Sequence, residues 1–272
     1  MELLRPSRLD ELDGAGVFLA GGTEVVPLVR DGILQTDTLV DVRGVVPRGV
    51  RGDRIGAGTT LAELESANVP DALREACRLA ASPQLRRMGT VGGNLLQSTR
   101  CWYWRLRYPC RLHGGDRCHA ADGEHREHAI FANDFCASAH PSDVAAALLA
   151  LDARLHTNRR ELALADLYRL PDEADRRTTT LDPGEVILEI EVPLVQASVY
   201  LKAMDRKRWS FPQVGVAAAR TAAGTRVALA GVAPIPWLLD GEGLDAATPL
   251  PRTVWKVDLA RALVLRAHTE LA

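Results

Sequence analysis

The chain has 272 residues, 47% of them hydrophobic and 25% charged, with a formal net charge of −2 at pH 7. That length allows two domains with cores of their own and excludes a small disulfide-stapled fold. Both signs of charge are interspersed, so no positive field points to nucleic acid, and no run approaches the ~20 apolar residues of a membrane-spanning helix.

The N-terminus, Met1-Glu2-Leu3-Leu4-Arg5-Pro6, lacks the apolar core of a signal peptide. A cytoplasmic protein without membrane insertion is therefore expected, although a subunit without its own signal can be exported alongside a partner that has one. Val17 to Ala20 reads as a buried strand that breaks at Gly21-Gly22-Thr23-Glu24, and Val25 to Arg30 as a short helix. Thr23 is placed to cap that helix and leave its first N–H groups facing an anion. The alternative is an ordinary strand-to-helix turn. Thr38 to Val42 and Arg54 to Gly58 read as further strands, and Thr59-Thr60-Leu61-Ala62-Glu63-Leu64 as a capped helix start. Leu73, Ala76, Cys77 and Ala80 fall on one helical face, which makes Cys77 a small core residue rather than a ligand.

The stretch from Ala81 to Cys136 carries most of the chemistry. Backbone that must approach a phosphate closely needs residues without a Cβ, and its unpaired N–H groups then serve as anion donors. Gly89, Gly92 and Gly93 in Gly89-Thr90-Val91-Gly92-Gly93-Asn94 fit that need. Cys101, Cys110, Cys118 and Cys136 follow in the pattern C-x8-C-x7-C-x17-C, four of the chain's five cysteines within 36 residues. Trp102, Tyr103, Trp104 and Tyr108 lie between the first two and can shield a centre from water.

Four thiolates on one loop-rich segment can surround a metal or an iron–sulfur cluster, because soft sulfur ligands favour such centres. Structural zinc usually takes cysteines in close pairs such as C-x2-C, and the segment contains none. Disulfides need an oxidising compartment. His113, His119, His125, His128 and His140 add imidazoles as competing ligands. Spacing alone leaves these readings open.

Asp143 heads the apolar run Val144 to Ala153, where it either caps free N–H groups or accepts a hydrogen bond from a cofactor hydroxyl. Arg154 to His156 and Glu161 to Leu164 read as short strands, Asp182-Pro183-Gly184-Glu185 as a turn, and Val186 to Val192 as an alternating strand ended by Pro193. A domain boundary is expected between Pro193 and Val199. Beyond it, Val199 to Ala203, Val214 to Ala219 and Arg226 to Val232 read as an antiparallel meander, and Val257 to Leu271 as a final amphipathic helix. Lys202, on the first of these strands, reads on its own as a solvated lysine.

The motifs in order are Ala20-Gly21-Gly22-Thr23-Glu24, Gly56-Ala57-Gly58-Thr59-Thr60, Ala81-Ser82-Pro83-Gln84-Leu85-Arg86, Gly89-Thr90-Val91-Gly92-Gly93-Asn94, Pro141-Ser142-Asp143 and Tyr200-Leu201-Lys202. Together they resemble the FAD-binding medium subunit of the molybdenum hydroxylases, the family of xanthine dehydrogenase and carbon monoxide dehydrogenase, over nearly the whole chain. Thr99-Arg100-Cys101, Gly115-Asp116-Arg117-Cys118-His119 and the run from Gly123 to Phe131 are similar to one branch of it. That branch contains the 4-hydroxybenzoyl-CoA reductase β-subunit and the aldehyde oxidoreductase FAD subunit, and carries an extra [4Fe–4S] cluster. The interval between Cys101 and Cys110 is shorter than in the reductase branch, and the final domain is short for the family.

The resemblance implies an α+β chain with an FAD-binding type-2, PCMH-like domain over 1–195, made of subdomains at about 1–55 and 56–195 with a cluster-binding insertion at 98–137. A short C-terminal domain of antiparallel strands and a helix would follow at 196–272. Phe18, Leu19 and the turn Ala20, Gly21, Gly22, Thr23 and Glu24 would wrap the FAD pyrophosphate. Thr90, Gly92, Gly93 and Asn94 would form a second phosphate and ribityl contact, and Asp143 would hold a sugar or ribityl hydroxyl. Ile187 would pack near the flavin, and Lys202 would offset the negative charge that builds on the ring upon reduction. Cys101, Cys110, Cys118 and Cys136 would each give a thiolate to the cluster.

No catalytic residue is implied. The expected role is electron transfer between the [2Fe–2S] centres of a small subunit, which serve a large molybdenum-cofactor subunit, and an external acceptor or donor. A stand-alone FAD-dependent oxidoreductase is the rival reading, but it needs an acid–base pair that no residues here announce. A zinc-binding scaffold that has lost flavin is the other.

Overall fold

A computed structural model describes residues 1–12, 14, 16–240 and 243–272. β1 (Glu2–Leu4), β2 (Val17–Leu19), α1 (Val25–Arg30) and β3 (Thr38–Asp41) build a three-stranded parallel sheet in the order β1-β3-β2. Leu12, Val40 and Val42 pack with Val186 as its small core. Glu2-Leu3-Leu4 gave no strand signal of its own. It is extended because it pairs with Thr38 to Val40, a tertiary cause.

The second unit begins with β4 (Val50–Arg51), β5 (Arg54–Gly56), α2 (Leu61–Glu65), α3 (Asp71–Ala80), α4 (Pro83–Met88) and α5 (Val91–Leu95). α2 starts with the expected cap, a reciprocal box in which Thr60 accepts from the Glu63 N–H and the Glu63 carboxylate accepts from the Thr60 N–H at 2.8 Å. The glycine stretch after α4 coils into α5, capped by Thr90, whose hydroxyl accepts from the Gly93 N–H at 3.2 Å. The insertion carries α6 (Trp102–Arg105) and α7 (His119–Asp122), and the chain returns through α8 (Asp143–Ala150), β6 (Arg154–Thr157), β7 (Glu161–Ala163), α9 (Leu164–Leu167) and β8 (Ile187–Glu191). Its five strands run in the order β4-β5-β8-β6-β7, every pair antiparallel. β4 and β5 thus already belong to the second sheet, so sheet membership changes between Asp41 and Val50.

β9 (Ala197–Ala203), β10 (Val214–Thr221), β11 (Gly224–Ala230) and β12 (Trp237–Leu238) form the expected meander plus one short fourth strand, followed by α10 (Val254–Leu271). Alternation along β10 splits its side chains between two cores. Ala217 and Ala219 join the large core with α3 and α8, whereas Val214, Val216 and Ala218 face the core beneath α10. The C-terminal sheet is therefore sandwiched and shares its inner core with the preceding unit. α8 lies at the centre, and all eight of its residues are buried, which explains why its sequence is apolar on every side. Among the described residues no helix is long and apolar enough to cross a membrane.

Candidate functional site

The first glycine turn and the second glycine segment meet across one cleft. Phe18, Gly22, Thr90, Gly93 and Ile187 line it, together with the rest of the turn from Ala20 to Glu24 and Gly92. Two positions in the turn accept only glycine. Gly22 has φ +72°, and a Cβ on Gly21 would stand 1.7 Å from the Met88 carbonyl oxygen, inside any contact distance. The second segment is spliced to its neighbour by backbone bonds from Val91 N to Thr59 O (2.8 Å) and from Gly92 N to Ala57 O (2.9 Å). Among the described residues, the N–H groups of Gly22, Thr23 and Glu24 find no backbone acceptor. At Gly21, Gly22, Gly92 and Gly93 the cleft wall is thus bare backbone, and the first turn adds free donors, the chemistry a phosphate requires.

Other expected site residues sit elsewhere. Thr23 caps nothing, because α1 starts after Glu24 and has no side-chain cap. Leu19 and Asn94 border the cleft without lining it. The Asn94 Oδ1 accepts from the Ser142 hydroxyl at 2.6 Å. Ser142, not Asp143, caps α8 by accepting from the Ala145 N–H at 2.9 Å.

The structure does not bring Asp143 and Lys202 into this cleft. Asp143 accepts from the Tyr200 hydroxyl and, at 2.8 Å, from Lys202 Nζ, which also donates to the Leu79 carbonyl at 2.9 Å. The Lys202 side chain is wholly buried, so the solvated reading of this lysine is wrong. Burial pushes the Asp143 carboxyl above the usual carboxylate range, and the Lys202 ammonium pulls against that rise. This pair locks β9 to α3 and to the head of α8.

Cys101, Cys110, Cys118 and Cys136 line a second, narrow cavity with Tyr103, Trp104, His119 and Phe135 around them. None of the chain's cysteines is in a disulfide, and Cys77 is buried in the main core as expected. Burial pushes the Cys101 thiol up to about 11 and the Cys136 thiol to about 12, so a metal that binds here must displace protons. Two of the sulfurs have polar neighbours within hydrogen-bond reach. The Ala137 N–H points at Cys118 Sγ (3.5 Å), and His128 Nε2 lies 3.2 Å from Cys101 Sγ.

Among the described residues, no three His, Cys, Asp or Glu side chains converge tightly enough to share one metal ion. Four thiolates on one tetrahedral zinc must stand about 3.8 Å apart, given Zn–S bonds of about 2.3 Å. A four-iron cluster instead spreads its four thiolates over separate irons. The four thiols, with aromatic side chains around them, form a soft donor set suited to a metal centre.

The insertion is held by contacts that its own sequence does not announce. Arg176 donates to the carbonyls of Arg111 (2.6 Å) and Gly115 (2.8 Å). Lys256 on α10 is fully buried and donates to the carbonyls of Glu127 (3.1 Å), His128 (2.9 Å) and Gly231. Its only sequence signal is a charge on the stripe Lys256, Ala260, Ala267 and Leu271.

His140 is buried beneath the insertion beside Tyr168, and its Nδ1 accepts from the Ser142 N–H at 3.4 Å, which requires a neutral ring. Burial, reinforced by the Arg100 guanidinium, pushes it down to about 3. The unfolded chain takes up this proton below about 6.5 and the folded chain does not, so stability falls as pH drops from 6.5 towards 3. Urea titrations between pH 7 and 5 should show a loss of stability that is about 2 kcal/mol smaller in His140→Gln than in the wild type.

The model of the FAD binding domain in molybdopterin dehydrogenase matches residues 6–195. The chain is 37% identical over 243 residues to the aldehyde oxidoreductase FAD-binding subunit PaoB of Escherichia coli, across 82% of this chain and 76% of that protein. It is 33% identical over 96 residues to the carbon monoxide dehydrogenase medium chain of Hydrogenophaga pseudoflava, across 32% and 33% of the two chains. A chain of cyanide-inactivated Cu,Mo-CO dehydrogenase superposes with a TM-score of 0.69 at 22% identity, covering 100% of this chain and 97% of that one. A chain of quinoline 2-oxidoreductase from Pseudomonas putida 86 gives 0.66 at 16% identity, covering 100% and 96%. These structural likenesses show that the fold is the expected one.

Proposed function

The chain belongs to the family of FAD binding domains in molybdopterin dehydrogenase, and from that membership we propose that it is the FAD-binding, electron-transferring subunit of a heteromeric molybdenum hydroxylase, with a [4Fe–4S] cluster beside the flavin. The observation that carries this reading is the pairing of a cleft that sets bare glycine backbone and the unpaired N–H groups of Gly22, Thr23 and Glu24 beside apolar side chains with a separate cavity lined by four thiols. The similarity to an aldehyde oxidoreductase FAD-binding subunit supports the branch with the extra cluster.

When bound, FAD exchanges two electrons and the cluster one, which lets the pair join two-electron and one-electron partners. The chain's residues hold and shield. The glycine turn at 20–24 and Thr90, Gly92 and Gly93 would take the phosphates, and Phe18 and Ile187 would cover the apolar part of the cofactor. Cys101, Cys110, Cys118 and Cys136 would hold iron, with Tyr103, Trp104 and Phe135 keeping water out. The Asp143–Lys202 pair would keep the floor of the unit rigid from within. Residues 1–195 would be the FAD-binding unit, with the insertion at 98–137 as the cluster unit and 196–272 as the C-terminal domain.

The partners by this reading are a small [2Fe–2S] subunit and a large molybdenum-cofactor subunit, with an external acceptor or donor completing the circuit. Affinity purification of the tagged chain from its native cells tests the reading. It should recover two further polypeptides, together with molybdenum and iron. Recovery of the chain alone, turning over a substrate by itself, would favour a stand-alone oxidoreductase.

A further inference from the structure

One carboxylate ties the glycine turn to the cysteine insertion. Glu24 closes the turn, and its side chain accepts from Arg105 Nη2 at 2.6 Å, Arg100 Nη2 at 2.7 Å and the Ser98 N–H at 3.1 Å. All three donors belong to the segment that carries Cys101. Arg105 Nε also holds the Thr99 carbonyl at 2.9 Å, and the Thr99 hydroxyl accepts from the Cys101 N–H at 3.1 Å. Cys101 thus sits inside a loop closed on Glu24. The carboxylate is 15% exposed and the Arg105 side chain 19% exposed, so neither bond is a loose surface pair.

The charge at the turn depends on this closure. With the segment in place, two guanidiniums offset one carboxylate and leave a net positive charge beside free N–H groups, which suits an anion. With the segment displaced, Glu24 is a bare carboxylate at the lip of a phosphate site and repels the ligand. Order around Cys101 and the electrostatics of the cleft are therefore one event.

We propose that Glu24 couples the two cofactor sites, so that iron held by the four cysteines fixes Arg100 and Arg105 on Glu24 and tightens FAD binding. Linkage makes the effect reciprocal, so bound FAD also tightens the hold on iron. This inference rests on the reading that the chain holds both FAD and an iron–sulfur cluster, and it adds that each is held more tightly when the other is bound.

The test is an anaerobic fluorescence titration of FAD into the flavin-free whole chain, with the cluster reconstituted and with it stripped by chelation. The cluster-loaded wild type should bind FAD about tenfold or more tightly than the stripped form. In Glu24→Gln the two forms should bind alike, within about twofold. Arg105→Met, which leaves Glu24 in place, should lower the loaded form towards the stripped value, and in competition with a chelator the FAD-free wild type should retain less iron at equilibrium than the FAD-bound one. Equal FAD affinity of loaded and stripped wild type would overturn the coupling while leaving both cofactors in place. A full tenfold difference surviving in both variants would overturn the role of Glu24. A chain that takes up no FAD or no iron would overturn the two-cofactor reading and the coupling with it.

Discussion

Gly93→Val is expected to leave the chain folded while weakening FAD binding by at least about 100-fold, or about 2.7 kcal/mol. Gly93 is exposed on the first turn of α5, and a Cβ there would meet only the Thr90 hydroxyl, at 3.1 Å. A small shift of that side chain accommodates it, and valine is no worse than glycine in a helix. The added methyl groups would stand in the cleft, where a phosphate is proposed to lie against bare backbone. Gly21→Ala provides the contrast. Its Cβ would collide with the Met88 carbonyl, which is main chain and cannot swing aside, so this variant should lose stability as well as flavin. Thermal melts and FAD titrations of both variants separate the effects. Normal flavin affinity in a folded Gly93→Val protein would remove the cleft as the phosphate site.

The second large effect is at the thiols. Cys118→Ser should reduce bound iron and acid-labile sulfide from about four of each per chain to near zero. Cys77→Ala, by contrast, should leave the iron content unchanged and lower stability by about 1–2 kcal/mol. Cys118 shares the aromatic-lined cavity with the other three insertion cysteines, whereas Cys77 is packed among Leu73, Val144 and Leu148 in the core. Iron, sulfide and zinc analysis of the two variants against wild type checks this. Undiminished iron in Cys118→Ser, or zinc in place of iron throughout, would end the cluster assignment.

Elements whose cause is local could be read in the sequence. The capping box at Thr60 and Glu63 needs only four residues, the Gly21-Gly22 turn announces its own backbone demand, the alternation in β8 reflects a strand with one face in the core, and the apolar run in β10 one buried on both faces. The clustering of the cysteines was visible as well. What escaped was made by partners distant in the chain. Glu24 meets donors 74 to 81 residues away, and Asp143 meets Tyr200 and Lys202 at 57 and 59.

Ser142 and Asp143 are both sound helix caps by residue type. Tertiary demand for a carboxylate next to Lys202 assigns the capping to Ser142. Lys202 and Lys256 look like solvent-facing lysines until the fold supplies, respectively, a carboxylate and three carbonyls. β1 and β12 are too short for periodicity to register and exist through pairing alone.

By the proposed function, one chain carries both a two-electron and a one-electron carrier. An anaerobic reductive titration of the purified protein, followed by absorbance and by electron paramagnetic resonance, tests it most directly. About three electron equivalents per chain are expected, two on flavin and one on the cluster, with a paramagnetic iron–sulfur signal in the reduced protein. Uptake of only two equivalents with no such signal, or of none, would contradict it.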